Sequence, residues 1–409
     1  MAHDYLCNKC GYKGVFFDLA FWTDDTYRCP VCFGDVGVNK NFNTDPYVTI
    51  KAMTNRPIVA IIIDGLYIAG MQCHCIQLSS VFKKLGFQIM IIAVEGGGAW
   101  YKKFLDIADF IFVPGINQKI SWVEIEKGFG SKIIGLIEFC SCHLVIPIQW
   151  GIEEIPSHIR LFAHLHSEPS EHEIVSPLFF KQQYFRAERI LFPTFQTLNA
   201  YKTLFNSDSE KLHVLINGFS ESLSLHERKN NDCNDTVTKI AVISRIDCDK
   251  FAFSLFKNTL ITMSSANIIF EIIIAGNGDS MSSLIEIITD LKLDNQVKLI
   301  GFLNDPTPLY QWADLVFLPS KRESMPYVML ESIRFQTPIV LPLLGIAIDN
   351  NSITGVFSFE SNNHFDVVSK IILAKQFSED KRMREMMLTN NRKLTIEWEE
   401  EVKNAYKFI

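Results

Sequence analysis

Apolar residues in this chain gather into short unbroken runs, each closed by a polar or glycine-bearing loop. Such runs fall at or near residues 58–63, 88–94, 109–113, 133–136, 144–148, 159–162, 239–243, 268–275, 297–300, 315–318 and 339–341. A short run that is apolar on both faces suits a strand buried on both sides, as in a parallel sheet covered by helices. Stretches with helix-like composition and no Gly or Pro lie between some of them, at 76–85 and 327–335. This alternation predicts βαβ units and an α/β fold. Residues 220–236 are polar and rich in Asn and Asp, so they read as an exposed linker. They divide the chain into domains expected at 57–218 and 237–390. Residues 41–56 read as a second linker, ahead of the first domain.

The stretch 315–341, LVFLPSKRESMPYVMLESIRFQTPIVL, carries the most chemistry. It reads as a strand closed by Pro319, a polar loop, a helix that Pro326 could begin, and another strand after Pro338. In such a unit the ligand lies at the carboxyl ends of the strands. That end bears Glu323, a helix N-terminus and, eight positions after Glu323, Glu331. The free N–H groups of a helix N-terminus suit a phosphate. Glu331 lies roughly 7 Å along the helix axis, where its carboxylate could accept two ribose hydroxyls. Glu323 could serve a second sugar beyond the phosphates. Phosphates flanked by two polyhydroxylated rings describe a nucleotide-sugar. Taken alone, the pair reads equally well as solvated surface charge.

Glu323-x7-Glu331, preceded by Pro319-Ser320 and followed by Pro338-Ile339-Val340, resembles the signature of the retaining GT-B glycosyltransferases of group 1, the GT4 family. Ser332 stands where that family usually has Ala, and Gln336 where it usually has Gly. Other strand ends of the second domain resemble the family too. Ser244-Arg245 and Lys250 stand where it has GRxxxxK; Arg can grip a diphosphate with its fork, and Lys adds a point charge. Gly276-Asn-Gly278 is similar to its GxG turn, and Gly301-Phe302 falls where it places the nucleotide base. In the first domain, the loop holding Gly70 resembles the glycine-bearing loop where acceptor and donor phosphate meet. His164-Leu-His166 resembles the strand-end histidine near the transferred sugar, with His166 the better aligned of the two. Residues 185–193 and 214–218 resemble the strand that closes the first domain and the approach to the hinge. Residues 395–406 resemble the closing helix that returns to the first domain, expected here at 391–409.

The resemblance implies a GT-B architecture: two Rossmann-like domains with parallel sheets facing across a cleft, the first for the acceptor and the second for a nucleotide-diphosphate-sugar. It implies retention of anomeric configuration and no catalytic metal, with Arg245 and Lys250 stabilising charge on the departing diphosphate. The expected catalytic residues are His166, Arg245, Lys250 and Glu323. The expected donor-binding residues are Gly70, Gly276, Gly278, Phe302, Ser324, Met325, Pro326 and Glu331. Assembly of surface polysaccharide or glycolipid, with a saccharide or lipid-linked acceptor, is the role the family suggests. A nucleotide-sugar epimerase, or an inactive GT-B module serving as an interaction protein, is the alternative.

Composition adds a third part. Cys7-Asn-Lys-Cys10 and Cys29-Pro-Val-Cys32 are two CxxC pairs separated by 18 residues, the spacing of a four-thiolate zinc site. Residues 1–45 are thus expected to form a zinc ribbon with a structural or docking role; iron or a redox dithiol is the alternative. The pairs Cys73/Cys75 and Cys140/Cys142, with His74 and His143 beside them, invite a second metal site but read better as buried thiols. The net charge of −7 gives no reason to expect a nucleic-acid partner. The opening MAHDYLCNKC lacks the features of a signal peptide. The longest apolar stretch, 133–148, contains Glu138 and His143 and is better read as strands than as a membrane span. The expectation is a cytoplasmic protein, with contact at the inner membrane face left open.

Overall fold

The computed structural model describes residues 54–63, 65–66, 69–93, 100–112, 129, 132–140, 158–166, 187–205, 209–220, 236–303, 305–321, 323–343, 345, 353–395 and 397–406, with short strands among residues 5–49. These early strands are β1 (Tyr5–Leu6) paired antiparallel with β2 (Lys13–Gly14), and β3 (Ala20–Phe21), β4 (Tyr27–Arg28) and β5 (Asp35–Val36) in an antiparallel set. The four ribbon cysteines lie outside the described residues. The chain divides into two compact units. One comprises Met1–Ser220 with Trp398–Ile409, the other Glu221–Glu397.

The first unit holds an eight-stranded sheet. Its strands are β6 (Tyr47–Thr49), β7 (Ile58–Ile63), β8 (Gln88–Ala93), β9 (Phe110–Phe112), β10 (Ile133–Cys140), β11 (Arg160–Leu165), β12 (Arg189–Phe192) and β13 (Leu212–Val214), in the order β13-β12-β11-β10-β7-β8-β9-β6. All neighbours run parallel except β6, which pairs antiparallel with β9 at the edge. The reading of 41–56 as linker is corrected here: Tyr47–Thr49 is extended because β9 offers it an open edge. β7 shows why an unbroken apolar run is needed. Ile58, Ala60 and Ile62 face one core cluster, while Val59, Ile61 and Ile63 face the other. Among the described residues, this part of the chain has the helices α1 (Gly70–Lys84), α2 (Tyr101–Ile107) and α3 (Phe195–Phe205).

The second unit is a six-stranded parallel sheet of β14 (Thr238–Ile243), β15 (Phe270–Ala275), β16 (Val297–Gly301), β17 (Leu315–Phe317), β18 (Ile339–Pro342) and β19 (Val356–Phe359), in the order β16-β15-β14-β17-β18-β19. Its helices are α4 (Phe253–Ser265), α5 (Met281–Asp290), α6 (Thr307–Trp312), α7 (Tyr327–Arg334), α8 (His364–Glu379), α9 (Lys381–Asn390) and α10 (Arg392–Thr395). Chain order reverses between β14 and β17, the switch point where open α/β sheets bind ligands.

The two sheets share one device. Asp109, just ahead of β9, is buried; it accepts the N–H of Ile89 at 2.9 Å and lies 3.7 Å from the Lys83 ammonium. Asp314, just ahead of β17, is likewise buried, accepting the N–H of Lys239 at 2.9 Å and pairing with Lys375 at 2.8 Å. In each sheet a carboxylate thus ties the start of one strand to its neighbour and is itself neutralised by a lysine.

The last helix, α11 (Trp398–Tyr406), packs in the first unit. It starts later than the 391–409 expected from sequence, because α10 remains in the second unit against α7. Trp398 is fully buried and donates its indole N–H to the Ile216 carbonyl at 2.7 Å. Gly218 makes room for it: a Cβ there would stand 2.2 Å from the Trp398 ring.

Candidate active site

The switch point of the second unit is built by two loops hydrogen-bonded to each other. The loop after β14 meets the loop after β17 through Ala252 N–H to Pro319 O at 2.8 Å and Lys321 N–H to Lys250 O at 2.8 Å. This pairing brings Lys250 and Glu323, 73 positions apart, into a 2.5 Å ion pair. The Glu323 side chain is only 7% exposed and that of Lys250 28%. Arg245 does not join them. It turns to the aspartates of its own loop, with Nε 2.6 Å from Asp247 and a terminal nitrogen 3.2 Å from Asp249. Its side chain remains half exposed. Burial raises the Asp247 carboxyl above its usual range, against the opposing pulls of the Asp279 N–H and the Arg245 guanidinium.

The glycines are required by backbone contact. Gly276 has φ +144°, and a Cβ there would lie 1.8 Å from the Ser244 carbonyl oxygen. A Cβ on Gly278 would lie 2.2 Å from the Ile246 carbonyl oxygen and 2.4 Å from the Asp247 carboxylate. The loops after β14 and β15 are stitched together by Ile246 N–H to Asn277 O at 3.0 Å, Ser280 N–H to Ile246 O at 3.0 Å and Asp279 N–H to Asp247 at 2.8 Å. Gly276 also donates to the Gly301 carbonyl at 2.8 Å, which links the loop before Phe302. Phe302 itself is half-buried.

On the other side of the switch point, Pro326 caps α7 in an extended conformation and no side chain caps the helix. Pro326 is therefore the residue before the helix, not its first. Met325 is buried, while Ser324 and Pro326 are half-buried. Glu331 is half-buried on α7, where Tyr310 donates its hydroxyl to the carboxylate at 2.6 Å. The Tyr310 ring is itself fully buried, stacked on Phe335 with 5.1 Å between centroids.

Two contributors were not singled out from sequence. Tyr310 reads there as an ordinary core aromatic of a short helix. Gly345, with φ +54°, lies so close to the loop of Ser324 that a Cβ would stand 1.8 Å from the Ser324 carbonyl. Its signal was only an isolated glycine after a strand.

His166 and Gly70 belong to the first unit. Gly70 opens α1 and is exposed. His166 stands just past β11, its ring stacked on His164 at 4.4 Å and 5.0 Å from that of His74 on α1. Desolvation lowers His166 to about 3. His74 and His164 are lowered well below their usual value, first by burial and then by neighbouring imidazoles. All three are therefore neutral near pH 7. Cys73 and Cys75 lie on α1, half-buried and buried.

Residues 226–394 match the family described as glycosyl transferases group 1. Over 341 residues the chain is 26% identical to an uncharacterized glycosyltransferase, MJ1607, of Methanocaldococcus jannaschii, an alignment covering 72% of this chain and 82% of that one. Over 107 residues it is 28% identical to the O-antigen biosynthesis glycosyltransferase WclY of Escherichia coli, 25% of this chain and 29% of that one. Its fold is similar to that of Anabaena Alr3699/HepE in complex with UDP and glucose, at TM-score 0.69, 14% identity, and coverage of 86% of this chain and 99% of the other. The chain is a glycosyltransferase of GT-B fold with two Rossmann-like units, and its second unit carries the match to the group 1 family.

Proposed function

We propose that this enzyme moves a sugar, with retention of anomeric configuration, from a nucleotide-diphosphate-sugar to a saccharide or lipid-linked acceptor in polysaccharide or glycolipid assembly. The observation that carries the reading is the Lys250–Glu323 pair at the switch point, flanked by Arg245, the uncapped start of α7 and Glu331 on that helix. In this reading α7 and the cations Arg245 and Lys250 receive the diphosphate. A diphosphate outcompetes the aspartate partners of Arg245, because it offers two charged groups at once to the fork. The cations then stabilise the charge that builds on the leaving group, without a divalent ion.

Glu331, oriented from behind by Tyr310, accepts the ribose hydroxyls. Glu323, held by Lys250, meets hydroxyls of the transferred sugar. His166 of the first unit, a neutral imidazole, serves a further sugar hydroxyl, and the loop of Gly70 lies on the acceptor side. The donor is a UDP-sugar, supported by the structural likeness to an enzyme that binds UDP and glucose. A polysaccharide role is supported by the partial match to an O-antigen transferase. No described helix is long and apolar enough to cross a membrane. A lipid-linked acceptor would be met at the membrane surface.

Calorimetric titration with UDP, GDP, ADP and CDP tests the donor site in wild type and in Glu331→Ala, Arg245→Ala and Lys250→Ala. One nucleotide is expected to bind selectively, with each variant weakening it about tenfold or more, consistent with charge-assisted hydrogen bonds of roughly 1.5–3 kcal/mol. Wild-type affinity in Glu331→Ala, or binding of none of the four, would overturn the assignment.

The N-terminal residues supply a zinc ribbon, supported by two matching hairpins. Cys7 and Cys10 stand in sequence between the paired strands β1 and β2, and Cys29 and Cys32 between β4 and β5. Zinc bound there would hold together a segment too short to build a core of its own. About one zinc per chain is expected to be held on thiolates, read from the thiolate charge-transfer band of the cobalt-substituted protein, and lost in Cys7→Ser/Cys10→Ser while UDP binding persists. Retention of that zinc in the double variant would refute the ribbon.

A further inference from the structure

The three clustered histidines of the first unit form an arrangement that the transfer reaction does not use as a whole. His164 and His166 are two apart at the carboxyl end of β11, so they project to the same side of the sheet. His74 comes from α1, ninety positions earlier, and faces them with ring centroids 4.6 Å and 5.0 Å away. His74 and His164 are fully buried and His166 is half-buried. One ligand nitrogen from each of the three can be chosen so that all lie within 4.8 Å of one another.

Tetrahedral zinc with bonds of about 2.0–2.1 Å sets its nitrogen ligands roughly 3.4 Å apart. Small rotations of the rings, about 1 Å at the nitrogens, would complete that geometry. No carboxylate joins the group among the described residues, so the donor set is three nitrogens. Such a set suits zinc, copper, nickel or cobalt and disfavours magnesium or calcium, which take oxygen ligands.

We propose that His74, His164 and His166 form a three-imidazole site for a first-row transition-metal dication, zinc first among them. Three protein ligands leave one tetrahedral position for water or another small ligand. The site differs from the ribbon in chemistry and in place, and its metal is bound by side chains from a helix and a strand end of the sheet itself. Zinc held there would engage the imidazole that the transfer reaction assigns to a sugar hydroxyl, so the cation would compete with that role.

The test uses the full chain, stripped of metal and titrated with cobalt(II). A four-cysteine site produces a thiolate-to-cobalt charge-transfer band, whereas a three-imidazole site gives only ligand-field bands without it. Two classes of binding are expected, one with the charge-transfer band and one without. His74→Gln should weaken only the second class, by at least tenfold, with the first intact and UDP binding unchanged. His164→Gln should do the same, which covers the case in which one variant folds poorly. The wild-type titration is decisive on its own: cobalt bound solely with thiolate bands, or not at all, would overturn the proposal. A second class that survives both histidine substitutions would overturn it as well, since that metal would be on surface groups. None of these readouts depends on catalysis, so they separate this site from the proposed donor site.

Discussion

At the residue scale, position 336 shows how a departure from the expected motif becomes a measurable strain. The helix α7 ends in a Schellman motif, with Thr337 N–H bonded to the Ser332 carbonyl at 2.9 Å and Gln336 N–H to the Ile333 carbonyl at 3.1 Å. Gln336 therefore occupies the left-handed position of the motif, with φ +55°. Glycine enters this region without a Cβ penalty, which accounts for the Gly usual at this place in the motif. Gln336→Gly is expected to stabilise the second unit by about 0.5–1 kcal/mol in chemical denaturation, because relief of strain outweighs the added freedom of the unfolded chain. A lower denaturation midpoint would show that the Gln336 side chain makes contacts worth more than the strain. Ser332, the other departure, is buried, and its hydroxyl has no partner among the described residues.

At the scale of elements, strands such as β7, β8, β17 and β18 were legible because both faces of each are covered, which leaves an unbroken apolar run. β15 carries Glu271 within such a run, and the structure accounts for it by a 2.7 Å ion pair with Lys298 on β16. The donor loops were legible because each follows a strand and carries its glycines or charges within a few residues. What stayed hidden depends on long-range closeness. Gly345 matters only because its loop lies against Ser324, Tyr310 only because its hydroxyl reaches Glu331, and His74 only because α1 packs beside the end of β11. No local pattern in the chain couples those positions. The interlocked loops can be tested at Gly276. An alanine there meets both an unfavourable φ and the Ser244 carbonyl, backbone that cannot yield as a flexible side chain would. Gly276→Ala is expected to cost about 2 kcal/mol or more in stability and to displace the loop bearing Arg245, so UDP affinity should fall at least tenfold. Unchanged calorimetric affinity would show that the loop after β14 is positioned independently of the loop after β15.

At the scale of the whole molecule, the chain leaves its first unit at Ser220 and returns to it at Trp398. The stability of the first unit therefore depends on residues encoded after the second. The return is fixed by several contacts: the buried Trp398 ring over Gly218, its indole N–H on Ile216, the Arg189 guanidinium on the Asn404 carbonyl at 2.9 Å, and the buried Tyr406 ring near Phe82 and Phe162. Lys84 near the end of α1 adds an ion pair with Glu399. Removing the Trp398 ring should open a large cavity in the first unit and cost about 3–5 kcal/mol, as for other buried Trp→Ala changes. The second unit has its own core, built from β14 to β19 and their helices. Trp398→Ala is thus expected to lower only one of two thermal transitions, and UDP added in excess should raise the other, because a ligand stabilises the part it binds. Calorimetry that shows both transitions falling together would mean that the two units unfold as one cooperative body. In that case the C-terminal helix would be a fastening for the entire enzyme, and weakened transfer in the variant could not be assigned to the first unit alone.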